Sequence, residues 1–426
     1  MEIRAKFNSA ACSPRPSNYT GRLALRGFLT AVLVAAVVVL LVGRFTNRLD
    51  PVWDVSYYQD MVANGILGNH HLAAPYAYRP AAPLVIGAVA RAGHTSYTDT
   101  FRTCAQVMSA VFILVCFVFG RANQGSDRAA LFAAVMIALN MYIVKWNVLA
   151  GGMVDIYAYP LLLLGFWAVM ARRFYVVLLI SAAGLFVKEF LLLPLLTQAG
   201  MLIYENYRTN LRKLIGPMAL TGAVIVICFV LPRVLIPIVE TYQALDPHQP
   251  RKLLRLILYP ANPKRWFNIT FAYLAVWLPA LLLFTRSRGR LVRDRLYPHR
   301  TAIFLFLAFH LLLVMYGGTN IVIFVSYSVP VEILALVILL DCPDLLRWEP
   351  FAALAVVILF NREWMSIPLP QYGFDRYLNF YGGYAHLVTW RSVWRLAEAL
   401  AYIVGFWAIR TVAIRRGALV GDASTS

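Results

Sequence analysis

Apolar blocks of roughly 15–20 residues recur along this chain, separated by stretches that hold Lys, Arg, Pro or Gly. A block of that length crosses the ~30 Å hydrocarbon core of a bilayer as one helix. An open strand cannot do so, because lipid offers no partner for unpaired backbone N–H and C=O groups. That constraint decides the fold class before any motif is considered. Of 426 residues, 61% are hydrophobic and 14% charged, against about 45–50% and about 25% in soluble domains. The chain therefore reads as an all-α integral membrane protein, a polytopic helical bundle of about twelve transmembrane helices. Spans are expected at about 25–43, 104–120, 129–146, 154–170, 174–187, 190–204, 214–232, 269–285, 301–316, 321–340, 351–365 and 396–412. Ala81 to Ala90 is apolar but short, which fits an interfacial or re-entrant helix.

The formal net charge is +19. The basic residues flank the spans instead of forming a domain of their own, so they set topology and meet membrane lipids; nucleic acid is not an expected partner. Arg121/Arg128, Arg172/Arg173, Arg208/Arg212/Lys213, the run from Arg286 to Arg300, and Arg415/Arg416 fall on one side of the expected bundle. Short loops dense in Lys and Arg mark the cytoplasm, so both termini are expected there, in a multi-pass protein of a bacterial inner or plasma membrane. Residues 1–24 then form a cytoplasmic tail, 25–412 the transmembrane domain and 413–426 a second tail. Longer connections at about 44–103, 233–268 and 366–395 face outward and carry many of the acids. The first apolar block begins near Leu25 and lacks an A-x-A-like exit, so a retained helix is expected there. The five cysteines form no C-x-x-C or Cys/His cluster. Neither a Walker-type nor a dinucleotide glycine pattern occurs. An enzyme of this kind would work at the outer face on a donor delivered by the membrane.

Carboxylates and arginines at the edge of a bilayer are costly unless they pair or line a site. The first outer connection holds Asp54, Tyr57, Tyr58 and Asp60, then Tyr78-Arg79-Pro80. On a short helix Asp54, Tyr57 and Tyr58 share one face. Aromatic rings beside a carboxylate suit a sugar, with Asp54 as base and the rings against the apolar face; an interfacial aromatic belt is the plainer alternative. In Gly151-Gly152-Met-Val-Asp155 the glycines permit a tight turn that would carry Asp155 to the same mouth, where it could orient a base, join Asp54 around a divalent cation, or simply cap the next helix. Lys188-Glu189 interrupts an apolar stretch and reads either as a phosphate ligand with its holder or as a structural ion pair. Arg251, Lys252, Arg255, Lys264 and Arg265, with Tyr259 and Trp266, could grip a head group or anchor the protein in lipid. His310 and Glu332 lie within spans, where a satisfied polar contact is the expectation.

Taken in order, Asp54-Val-Ser-Tyr-Tyr, Pro75-Tyr-Ala-Tyr-Arg-Pro-Ala-Ala-Pro, Gly151-Gly-Met-Val-Asp155 and Leu185-Phe-Val-Lys188-Glu189 resemble the GT-C superfamily of polytopic glycosyltransferases. The resemblance covers roughly residues 25–205. It implies inverting transfer of a sugar from a polyprenyl-phosphate donor to a glycan, lipid or protein acceptor, with Asp54 as the catalytic base and Asp155 as the carboxylate that assists it. Tyr57, Tyr58, Arg79, Lys188 and Glu189 would then bind substrate, Arg79 or Lys188 meeting the departing lipid phosphate. It fixes no cofactor beyond the divalent cation already considered. A transporter or flippase of lipid-linked or small polar solutes is the main alternative, and would need charged residues lining a path through the bilayer.

Overall fold

The computed structural model describes residues 21–45, 54–66, 69, 73–123, 125–149, 153–207, 212–236, 240–241, 258–316, 321–365 and 388–423. They are almost entirely helical. The exception is a two-residue parallel pairing of Ala73–Ala74 with Glu240–Thr241, which ties the first long connection to the second.

Among the described residues, five helical stretches are long and apolar enough to cross a membrane alone: Leu25–Arg44, Tyr97–Ala122, Arg212–Leu235, Arg286–Tyr316 and Trp390–Arg416. Three of the other expected spans are divided into shorter helices, for local reasons. Helix α5 (Asp127–Ala138) gives way to a turn at Asn140–Tyr142 before α6 (Val144–Leu149). Asn140 holds that turn, its side-chain oxygen accepting from the Tyr142 amide at 3.1 Å. Proline follows the break in two more places: α12 (Pro263–Val276) stops at Trp277 before α13 (Leu278–Leu283), and α16 (Ile321–Ser326) stops before α17 (Val329–Leu340).

The remaining elements run in chain order. Helix α1 (Gly21–Phe45) is followed by α2 (Asp54–Asn64), a 3₁₀ turn at Tyr76–Tyr78, α3 (Ala81–Ala92) and α4 (Tyr97–Ala122). After α6 come α7 (Asp155–Met170), α8 (Phe174–Leu185), a 3₁₀ turn at Glu189–Leu191 and α9 (Leu192–Asn206). Helix α10 (Arg212–Ile225) continues through a π-helical turn into α11 (Leu231–Leu235). Helices α14 (Arg286–Leu296), α15 (Arg300–Tyr316), α18 (Glu349–Asn361) and α19 (Trp390–Ala423) complete the set. Helix α19 runs well past the expected limit of 412 into the segment expected as a tail.

Side-chain caps fix several starts. Ser96 accepts from the Asp99 amide at 3.1 Å and donates to its carboxylate at 2.7 Å. Ser126 caps α5 and also bonds Asp341 at the far end of α17 at 2.6 Å. The bundle has two chemically distinct ends. Arg121–Asp127, Ser126–Asp341, Arg172–Glu205 and Arg288–Asp344 lie at one, the arginine-rich end. Asp155, Lys188 and Arg79 mark the other.

One large apolar cluster fills the bundle from α1 to α19. A second caps it, with Tyr58, Met61, Tyr76, Ile86, Phe101 and Val154 buried together. Helix α3 belongs to this cap. Its first amide donates to the Phe186 carbonyl at 3.1 Å, it packs on α2 and α4, and it leaves Leu84, Val85 and Val89 exposed. It starts beside the α8–α9 turn and, at 12 residues, is too short to cross a bilayer alone. Only 11% of the apolar window in α10–α11 and 17% of that in α19 is buried. Such faces are intolerable in water and ordinary against lipid, where packing rather than the hydrophobic effect holds helices together.

Candidate functional site

The site is built on the turn between α8 and α9. Gly184 makes that turn possible, since a Cβ there would lie 2.4 Å from the Leu191 side chain. Beyond it Lys188 adopts an extended backbone, φ −159° and ψ 140°. The extended backbone at Lys188 turns its side chain away from that of Glu189, and the two form no direct ion pair. Each reaches a different element instead. Lys188 Nζ meets Asp155 Oδ1 at 2.9 Å, with both side chains almost fully buried. Glu189 receives a bidentate pair from Arg79, Nε to Oε2 at 2.9 Å and Nη2 to Oε1 at 2.6 Å.

Asp155 opens α7 but does not cap it: no side-chain cap bond exists there, and Asn147 Oδ1 takes the Ile156 amide at 3.0 Å. The same Asp155 Oδ1 accepts the Tyr327 hydroxyl at 2.5 Å. Tyr327 is wedged between Phe190, stacked at 4.2 Å, and Tyr159 at 4.9 Å. One buried ionic knot thus joins the approach to α3, the start of α7, the α8–α9 turn and the α16–α17 break.

Burial penalises the Arg79 charge, but the Glu189 carboxylate beside it outweighs this and raises the guanidinium pKa well above its ordinary value. Burial also pushes the Glu189 carboxyl up. The Arg79 and Lys188 charges and the Arg79 hydrogen bonds overcome it and hold the group at about 2, below its usual 4.5. These two side chains remain an ion pair throughout the physiological range.

Arg233, at the close of α11, completes the site and was not singled out by sequence reasoning. Its guanidinium lies 4.7 Å from the Tyr78 ring centroid and 3.6 Å from that of Phe229, and Nη1 donates to the Phe229 carbonyl at 2.7 Å. It feels the charges of both Glu189 and Arg79. The available signal was an arginine directly after Pro232 at the end of an apolar span. Among the described side chains Arg79 pairs with Glu189 and Lys188 with Asp155, while Arg233 forms no ion pair.

The expected aromatic residues divide. Tyr57 keeps part of its ring open and stacks on Tyr76 at 4.7 Å with an interplanar angle of 9°. Tyr58 is fully buried, edge-on to Tyr76 at 5.6 Å, and packs the cap; it presents no open face for a sugar. Asp54 is the first residue of α2, three and four positions ahead of the two tyrosines; its side chain lies outside the described residues. Asp60 bonds Asn64 at 2.6 Å and Asn69 at 2.7 Å, which assigns it to holding its own loop. Arg251, Lys252 and Arg255, and the turn at Gly151–Gly152, also fall outside the described residues.

Arg265 departs from the expected head-group contact. It is buried, and Nη2 donates to the Val314 carbonyl at 2.7 Å, stitching α12 to α15. His310 is satisfied as expected: Nε2 faces the Phe324 carbonyl at 3.0 Å and therefore carries the proton, leaving Nδ1 to accept from Tyr273 at 2.9 Å. Glu332 departs from expectation, since neither oxygen of this buried carboxyl has a hydrogen-bond partner among the described residues. A divalent cation does not fit Asp155, whose Oδ1 already faces the Lys188 ammonium.

The fold and site define a helical membrane protein with a polar, cross-paired centre at one end of the bundle. No protein-family model, curated protein or solved structure matches this chain.

Proposed function

We propose that the protein is a membrane glycosyltransferase that moves a sugar from a polyprenyl-phosphate donor to an acceptor at the outer face, with inversion. The observation that carries this reading is the ionic knot: Arg79, Asp155, Lys188 and Glu189 come from three separate connections and interlock at one end of the bundle. In this reading the shorter apolar helices complete about twelve crossings, the arginine-rich end faces the cytoplasm with both termini, and the knot lies at the outer surface.

The residues then divide the work as follows. Asp54 is the base that takes the acceptor hydroxyl proton as its oxygen attacks the anomeric carbon. Asp155 is held by Lys188 and Tyr327, which suits a residue that positions its neighbours better than one that accepts a proton. Arg233, which forms no ion pair among the described residues, faces the departing lipid phosphate, while Arg79, locked to Glu189, supplies the fixed field behind it. Tyr57 and Tyr76 offer a stacked aromatic platform for the sugar.

The test is mass spectrometry of lipid-linked sugars and surface glycans in cells with and without the gene. Accumulated donor and a glycan shortened by one residue are expected. Unchanged pools of both remove the assignment.

One observation favours a second reading. Glu332 lies buried in α17 without a partner among the described residues, as a proton-carrying group in a transporter would. Proton-coupled movement of a polar solute in proteoliposomes, abolished in Glu332→Gln, would establish that reading.

A further inference from the structure

At the arginine-rich end, α13, α14 and α19 enclose a cavity of about 630 Å³ whose walls include Phe284, Arg286, Arg290, Arg293, Trp407 and Arg410. We propose that this cavity binds the phosphate head group of an anionic lipid. The inference rests on the bundle crossing a bilayer and is independent of the chemistry at the other end.

The arginines divide by helix face. Arg288 turns inward, where it meets Asp344 at 3.0 Å and Glu349 at 2.6 Å; Arg410 joins Glu349 at 2.7 Å. Two guanidinium groups against two carboxylates make this floor electrically balanced. Arg286, Arg290 and Arg293 fall at i, i+4 and i+7 on another face of α14, the face that lines the cavity. Arg286 and Arg290 form no ion pair among the described residues, and Arg293 meets the exposed Asp294 at 3.2 Å. Like charges aligned on one helix face repel. A phosphate placed between them would relieve that repulsion and accept forked hydrogen bonds.

The other wall is apolar and fixed. Trp407 Nε1 donates to the Leu282 carbonyl at 3.1 Å, which locks the indole in place. Gly289 lets the Phe284 ring lie against α14, because a Cβ there would come within 2.5 Å of Cζ. Leu400, Val404, Trp407 and Thr411 succeed one another at i, i+4, i+7 and i+11 along α19, all of them exposed. This stripe leads from the cavity along the bundle and suits an acyl or prenyl chain. A soluble anion would gain nothing from it, so the two walls together point to an amphiphile.

Native mass spectrometry of the full chain tests this, with phosphatidylglycerol, phosphatidylcholine of the same acyl chains, and inorganic phosphate as probes. Phosphatidylglycerol should be retained in preference to phosphatidylcholine. Arg286→Gln/Arg290→Gln should weaken it about thirtyfold, each arginine contributing roughly fivefold. Both residues are exposed, so an unchanged melting temperature in phosphatidylcholine is expected for this variant. Arg415→Gln/Arg416→Gln removes the same charge outside the cavity and should retain the lipid. Equal retention of the two lipids, or equal loss in both double variants, overturns the site. Displacement of phosphatidylglycerol by an equal concentration of inorganic phosphate overturns its assignment to a lipid.

Discussion

Removing Lys188 is the sharpest perturbation of the site. At 2.9 Å and an effective dielectric of about 20, the Asp155–Lys188 attraction is about 6 kcal/mol before desolvation is counted. Breaking a pair buried this deeply, with side-chain exposures of 5% and 1%, is expected to cost about 3–5 kcal/mol, because the remaining charge is stranded. In Lys188→Met the Tyr327 hydroxyl still serves Asp155 at 2.5 Å, which places the loss near the lower figure. A 426-residue chain with a melting entropy of ~2.1 cal/mol/K per residue loses about 3 °C for ~3 kcal/mol. Asp155→Asn should cost a similar amount, leaving the Lys188 ammonium against a neutral amide. The double variant should fall well short of the sum, with a coupling of about 2–3 kcal/mol. Thermal melts of the four proteins in one detergent, followed by intrinsic fluorescence, read this directly. Shifts below about 1 °C in both single variants, or strict additivity in the double, would refute the claim that this pair organises the site.

The remaining predictions concern neighbouring groups. Glu189 holds its proton less tightly in the fold, at about 2 against an ordinary 4.5, so the pair with Arg79 adds stability above the ordinary value and loses it as pH falls through about 2. Melting temperatures of the native chain and Glu189→Gln should therefore differ most near neutrality and converge on acidification; a constant gap counts against the shift. If the proposed sugar transfer holds, Arg233→Gln should leave the fold intact and reduce turnover of a polyprenyl-phosphate sugar by at least tenfold; full turnover would remove Arg233 from the proposed phosphate contact. Glu332→Met, replacing a buried carboxyl that has no hydrogen-bond partner among the described residues with an apolar group of similar size, should raise the melting temperature by about 1–2 °C. A drop instead would reveal a partner for Glu332 within the bundle.

The helical class, the short α3 and the clustering of loop arginines at one end were legible in the sequence, because bilayer thickness and backbone hydrogen bonding leave few alternatives. Span lengths were less so. Asn140 and the prolines at 279 and 330 divide apolar runs into stacked short helices, and a hydropathy window averages over such breaks. Arg79, Asp155, Lys188 and Glu189 stood out as polar residues in apolar surroundings, and that cue is chemical, so it survives folding. Their pairing was not legible. Adjacent Lys188 and Glu189 invite a mutual ion pair, whereas the extended backbone at Lys188 turns each toward a different element.

That crossing of partners also bears on where a charged substrate can act. Every buried charge in the knot is matched across elements more than thirty residues apart, Arg79 with Glu189 and Asp155 with Lys188. Matched charges fix geometry and contribute a standing field, but they have little capacity left for a ligand. Three arginines with no ion pair among the described residues stand beside such balanced sets: Arg233 next to the knot at one end, Arg286 and Arg290 above the Arg288–Glu349 floor at the other. A protein that handled anions within its knot would have to break buried pairs at each cycle, at several kcal/mol each. On the proposed reading, an anion meeting these rim arginines could arrive, be neutralised and leave while the interior stays unchanged. The rim arginines should therefore govern affinity and rate, and the buried pairs stability.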